Sequence, residues 1–177
     1  LDPDKKPIVY VKKSLICNAG LGVFAKTDIK KNTPIIIYYG EKITNKEIMS
    51  LYLKDNKNYQ KNISPYLRST GIPDTQVNGK KSEKTNNINL KGYLVNDSFN
   101  ITNIDDESIK KYLSNKNKNN LSILETKDFP IYYSIRDIKE DEELYVSYGL
   151  GYWLLQCNCK PENIREIYEK FTLIESN

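Results

Sequence analysis

The apolar residues of this chain come in short bursts. "PIVYVKKS" alternates, "GVFA" is a brief apolar run and "TPIIIYYG" is strongly β-prone, with Gly and Asn intervening at "NAGLG" and "KKN". The last third repeats the pattern in "LSILET", "PIYYSIRD" and "EELYVSY", three runs joined by short turn sequences. Short runs rich in Ile, Val and Tyr and bounded by turn formers read as strands. Many short strands with helices only at the periphery predict a mostly β, mixed fold.

The helical signals are few. "TNKE", Thr44 to Glu47, has the capping-box pattern, and Ile48, Leu51 and Tyr52 follow at helical spacing, which predicts a helix over 45–54. From Asn56 to Asn89 the chain is polar, with turn signals at "GIPD" and "NGKK". "PYLRSTGIPDTQVNG" has room for two short strands, and "KKSEKTNN" reads as a mobile loop. "GYLVNDSF" reads as a strand or strand end, "DDESIKKYL" as one or two helical turns, and "NKNKNN", Asn115 to Asn120, as a solvated loop. "KPENIREIYEKF" places Pro161 near a helix start, with Ile164, Ile167, Tyr168 and Phe171 on one face. The aromatic-rich "LYVSYGLGYW" reads by itself as a core strand followed by a glycine turn.

Composition removes whole classes of function. The 177 residues suit one domain with a small appendage. A net charge of +4 in a chain rich in Lys, Asn and Ile is too mild for a clustered nucleic-acid face, so no direct nucleic-acid partner is expected. There is no histidine, which excludes a catalytic dyad or triad built on imidazole and any histidine-ligated metal. Three cysteines do not form a disulfide framework at this length and fit a reducing compartment, the nucleus or cytoplasm. No apolar run reaches the roughly 20 residues of a membrane span, and "LDPDKKP" does not read as a signal peptide.

Four motifs then appear in a fixed order over much of the chain: Gly20-Leu21-Gly22-Val23-Phe24-Ala25, Tyr38-Tyr39-Gly40-Glu41, Asn96-Asp97, and Glu142-Glu143-Leu144 running on to Tyr148-Gly149. A lone Gly-x-Gly carries little weight, but together and in this order they resemble the SET-domain family of protein lysine methyltransferases. The resemblance covers about residues 8–153, with a loosely matched insert at 56–90. The stretch Tyr148 to Trp153 looks most like small viral members without flanking zinc domains. It leaves 154–177 as a C-terminal helical extension.

The resemblance implies a β-clip-like fold of several small sheets with a pseudoknot-like crossing of two segments. It implies S-adenosylmethionine as cofactor on one face and a lysine entering a narrow channel from the other, with a histone tail or another basic protein as substrate. By the same resemblance, Tyr148 and Tyr38 are the catalytic tyrosines, and Tyr38 and Val146 line the substrate channel. Gly20, Leu21, Gly22, Asn96, Asp97, Tyr148 and Trp153 bind the cofactor, Trp153 being equally readable as a core-edge aromatic. Asn120 matches a later asparagine of the family across a long insertion. Asp97 stands where the family usually has His, and Tyr93 where it commonly has Arg. "CNC", Cys157 to Cys159, resembles the start of a zinc cluster, but Ile164 occupies the third ligand position; four ligands are needed, so no metal is expected. The acidic "KEDEE" and "NIDDE" stretches read first as solvated charge and second as candidates for attracting a basic peptide. A homodimer stays open. The alternative function is a catalytically inactive SET-like module that binds a peptide or partner; a basic structural or nucleic-acid-associated protein, resting only on the +4 charge, ranks below both.

Overall fold

The structure, a computed structural model, describes residues 2–99, 101, 103–157, 159, 163–164, 166–167, 169 and 171, with the side chains of 116 and 117 left aside. The described residues group into two compact units, one within Leu1–Ser98 and Lys118–Ser147, the other within Phe99–Asn117 and Tyr148–Asn177.

The first unit holds three small antiparallel sheets. β1 (Val9–Lys13) and β2 (Leu21–Ala25) pair from Val9↔Ala25 to Lys13↔Leu21. β3 (Pro34–Ile37) belongs with two later strands, β7 (Leu121–Leu124) and β8 (Ile131–Ser134), in the order β3-β8-β7. β4 (Glu41–Thr44), β5 (Leu67–Ser69) and β6 (Thr75–Asn78) form the third sheet in the order β4-β6-β5. Among the described residues no sheet closes on itself. The turns that allow such short strands fall on Asn18, Asn32, Asp74 and Asp141, all at positive φ. Asn and Asp tolerate that region because their short side chains bond locally.

The "GVFA" run is apolar without alternation because β2 is covered on both sides. From Gly22 to Ala25 every residue is buried. The edge of β2 that β1 leaves open is taken by the segment 141–144. The Ala25 amide donates to the Glu142 carbonyl (2.9 Å), and the Leu144 amide donates to the Val23 carbonyl (2.8 Å). "EELYVSY" is therefore not the continuous strand its alternation predicts. It forms single bridges, Phe24↔Glu143 and Asn96↔Tyr145, because it changes partner within a few residues.

Helix α1 (Asn45–Lys54) begins and ends where the sequence predicts, with Thr44 and Glu47 closing the capping box. It buries no residue. α2 (Asn56–Asn62), which no apolar period announces, follows at once behind the N-cap Asp55 and also buries none. Three expectations are corrected. "KKSEKTNN" is not a free loop: Gly79–Lys84 wind into a 3-10 helix that buries Ser82, whose hydroxyl donates to the Gly79 carbonyl (2.8 Å). In "GYLVNDSF", Gly92–Leu94 are 3-10 before the chain extends into the Asn96 bridge. "NKNKNN" is not solvated throughout, since Asn119 and Asn120 are buried.

The second unit contains α3 (Asp106–Ser114) and α4 (Leu150–Gln156). Ile101, Ile109, Tyr112, Leu150, Leu154 and Phe171 form its core, with Trp153, Ile164 and Ile167 packed against it. The "YGLGYW" stretch enters a helix instead of a glycine turn; Gly149 at φ 86 is the N-cap of α4. Within 163–171 every described position is helical. Pro161, Tyr168 and residues 172–177 of the expected extension lie outside the described residues. Among the described residues no helix is long and apolar enough to cross a membrane.

Candidate active site

The feature that organises the first unit is a crossing of segments far apart in sequence. Val146 donates its amide to the Asn96 carbonyl (2.9 Å), where Asn96 runs parallel to Tyr145. The Asn96 side chain turns the other way and donates from Nδ2 to the Leu21 carbonyl (3.0 Å) and to Glu143 Oε1 (3.4 Å). The predicted glycine motif and the predicted asparagine are thus joined directly. Asp97, next in the chain, is buried at 1% exposure.

Asn120 fastens the same crossing from behind and has no exposed surface. Its Nδ2 donates to the Glu143 carbonyl (2.8 Å) and Glu142 Oε1 (3.1 Å), while its Oδ1 accepts the Tyr145 amide (2.8 Å). A side-chain amide can donate and accept at once, so this one residue replaces a strand partner where the backbone is irregular.

Gly20 and Gly22 differ in kind. Gly20 has φ +75, and a Cβ there would meet nothing within 4 Å. Gly22 has no such room: a Cβ would fall 2.1 Å from Glu143 Oε1 and 3.3 Å from Asn96 Nδ2. Between β1 and β2 the chain loops out, closed at its neck by the Ser14 amide donating to the Gly20 carbonyl (2.9 Å). Leu15 and Leu21 flank the loop with their side chains 73% and 52% exposed.

Sequence reasoning missed Glu143. It grouped the acids of "KEDEE" as solvated charge, yet Glu143 is 1% exposed. Its carboxylate accepts from Ser14 Oγ (2.6 Å), the Leu15 amide (2.7 Å) and Tyr145 Oη (2.8 Å). The signal was its position inside a run of buried bridges, directly before Leu144. Burial, reinforced by the hydrogen bond to Glu143, pushes the Tyr145 phenol far up. Glu142 also turns inward, to Arg136 and Asn120. Burial would raise its carboxyl, but the Arg136 side chain, the Lys139 amide and Asn120 together hold it below the ordinary range. These two acids therefore do not face a passing peptide.

Tyr38 is buried at 2% exposure. Its hydroxyl donates to the Tyr66 carbonyl (2.8 Å), the Arg68 guanidinium lies 5.6 Å from its ring centre, and Tyr132 lies 5.9 Å away. Val146 is buried too. In the second unit the Tyr148 ring stacks on Trp153 at 5.9 Å and 20°, and Tyr152 meets both edge-on. The Gly149 amide donates to the buried Tyr112 hydroxyl (3.1 Å), which fixes the start of α4 just after Tyr148. The cysteines are thiols: Cys17 is exposed and Cys157 and Cys159 are half-buried.

Small antiparallel sheets closed by a crossing of two remote segments define a class of β-rich domain, and comparison with known proteins places the chain in it. The family model for the SET domain matches residues 20–149. The chain belongs to the SET-domain family, whose members are in general S-adenosylmethionine-dependent lysine methyltransferases. Similar solved structures come from polycomb repressive complex 2 of Chaetomium thermophilum. The complex in an autoinhibited conformation bound to S-adenosylmethionine matches at TM-score 0.55 and 19% identity over 93% of this chain and 17% of the other. A crystal structure of the same complex matches at TM-score 0.53 and 23% identity over 81% of this chain and 15% of the other. At these identities the likeness establishes the fold, and this chain spans about a sixth of the length of the chains it matches.

Proposed function

We propose that this chain is a protein lysine N-methyltransferase that moves a methyl group from S-adenosylmethionine to a lysine of a histone tail or another basic protein, in the nucleus or cytoplasm. The observation that carries the reading is the meeting of the Gly20–Gly22 loop with Asn96 at the crossing. A cofactor with polar and aromatic parts fits these residues. Open space lies before the Gly20 backbone, the Leu21 and Asn96 groups are fixed, and Leu21 offers an exposed apolar side chain. When bound, S-adenosylmethionine supplies a methyl group on positively charged sulfur.

The protein's part is to hold a neutral amine. Lysine has an ordinary pKa of about 10.4. Desolvation and a nearby positive charge both disfavour the ammonium form. In this reading Tyr38 and Val146 form the apolar wall that does the desolvating. Tyr38 acts by shape, because its hydroxyl is engaged by Tyr66. Tyr148 orients the amine, its ring held in turn by Trp153 and Tyr152. Fixing the reacting groups at close range removes several kcal/mol, up to roughly 7–11 in favourable intramolecular cases.

The test pairs two measurements. S-adenosylmethionine at about a hundred times its dissociation constant should stabilise the protein by ~2.7 kcal/mol, read as a rise in Tm. Radiolabelled methyl should pass to purified histones, and Tyr148→Phe should abolish transfer while leaving that rise in place. A protein whose Tm ignores the cofactor and which labels nothing would end the reading; unchanged turnover in Tyr148→Phe would remove the role given to that tyrosine.

A further inference from the structure

Glu143 has more hydrogen bonds than packing alone calls for. A carboxylate taken out of water is costly unless donors surround it. Here donors arrive from two remote parts of the chain, Ser14 and Leu15 at 2.6 and 2.7 Å and Asn96 at 3.4 Å, and from the neighbouring Tyr145 at 2.8 Å. Two of the four belong to the start of the loop between β1 and β2. Where the loop has just entered β2, Glu143 Oε1 lies so close to Gly22 that no side chain could intervene. The carboxylate therefore touches one loop at its start and just past its end.

That loop has little else to shape it. Leu15 and Leu21 are exposed, Cys17 is exposed, and its internal bonds are few: the Ile16 amide donates to Ser14 Oγ (3.0 Å) and the Ala19 amide to the Ile16 carbonyl (3.2 Å). Segments with so few buried contacts open easily. Their conformation is set by whatever anchors the ends, and Ser14, which closes the neck, is itself held by Glu143.

We propose that Glu143 is a positioning residue for cofactor binding: its buried carboxylate holds the Ser14–Gly20 loop, and the start of β2 that follows it, in the shape that S-adenosylmethionine needs. The proposal depends on the methyltransferase reading above. It assigns to an acid of the "EEL" motif a duty toward a loop whose anchoring residues lie 129 and 128 positions earlier.

The variant Glu143→Gln keeps the size and replaces one acceptor oxygen by NH2, which then faces N–H and O–H donors. Ser14→Ala removes one donor to Glu143 and, with it, the acceptor of the half-buried Ile16 amide, while the other donors to Glu143 remain. Amide exchange of the ligand-free protein, calorimetric titration with S-adenosylmethionine, and steady-state kinetics are read for both. In Glu143→Gln, exchange at Leu15 to Gly22 should quicken about tenfold while β3 and β8 amides stay unchanged. The dissociation constant and the cofactor KM should rise about tenfold, with kcat at saturating cofactor within about threefold of the parent. Ser14→Ala should shift binding the same way by about threefold. Unaltered affinity in Glu143→Gln overturns the proposal and leaves the methyltransferase reading standing. So does a uniform rise in exchange through the first unit, which would mark a general structural role. Should Glu143→Gln fail to fold, an unaltered Ser14→Ala decides against the proposal. A parent chain that binds no S-adenosylmethionine defeats the proposal together with the reading beneath it.

Discussion

A Cβ on Gly79 would lie 2.6 Å from the ring of Tyr38 and 2.7 Å from its hydroxyl. The ring cannot retreat, because its hydroxyl is bonded to Tyr66 and its face is covered by Arg68. Gly79→Ala should therefore destabilise the protein by about 1–3 kcal/mol through overpacking, read by urea unfolding. It should also lower turnover if Tyr38 walls the channel; a variant as stable as the parent would mean that the ring moves freely. Gly20, Gly22 and Tyr38 stand out in the sequence because they lie in motifs of fixed order, whereas Gly79 shows there only as part of a turn signal. Glu143, though part of a motif, and Asn120, matched only across a long insertion, do not announce their burial in the sequence. In a chain crowded with Asn and charged residues, one Glu or Asn looks like any other, and burial comes from strands that are distant in sequence. Asn120 is buried only because the segments at 96 and 145 meet there.

At the scale of elements, local chemistry shows through where it is self-contained. Thr44 and Glu47 fix the start of α1 by mutual bonds, the Glu47 amide donating to Thr44 Oγ1 (3.3 Å) and the Thr44 amide to Glu47 Oε2 (2.8 Å). Because α1 buries none of its residues, the cap matters more than packing. Thr44→Ala should cost about 1 kcal/mol and quicken amide exchange in the first turn of α1. Exchange equal to the parent's would show that β4, not the cap, holds the helix end. α2 was hidden because Asn56–Asn62 has no apolar period and relies on the Asp55 cap. α4 was hidden because Gly149 and Gly151 look like a turn, whereas Gly149 only redirects the chain into a helix packed on Ile101 and Ile109. The last strand-like run failed for the opposite reason: its alternation is real, but its partners change from β2 to Asn96 within four residues.

Over the whole molecule, acids joined to distant donors tie stability to pH. The Asp28 carboxyl is held below its usual 3.8 by the Glu140 amide and Lys139. Asp137 is held down by Lys30 and the Lys31 amide. Glu47 and Asp105 are lowered by the amides they cap, and Glu142 falls below 4.5 because its donors outweigh its burial. Each of these groups binds protons more weakly in the native state than in the unfolded one. The stability they provide is thus complete above the ordinary carboxyl range and is lost as pH falls through the native values. Tm should hold steady from pH 7 to roughly 5 and drop by pH 3, and Glu142→Gln should flatten that drop. A profile level to pH 3 would show these bonds to be without weight. The crossing at Asn96 has another effect, on the order of events. β2 lacks its second neighbour, and Asn96 lacks its parallel one, until residues 141–146 exist. A ribosome must therefore pass residue 146 before the first unit can close, and until then the nascent chain leaves "GVFA" and "PIII" uncovered.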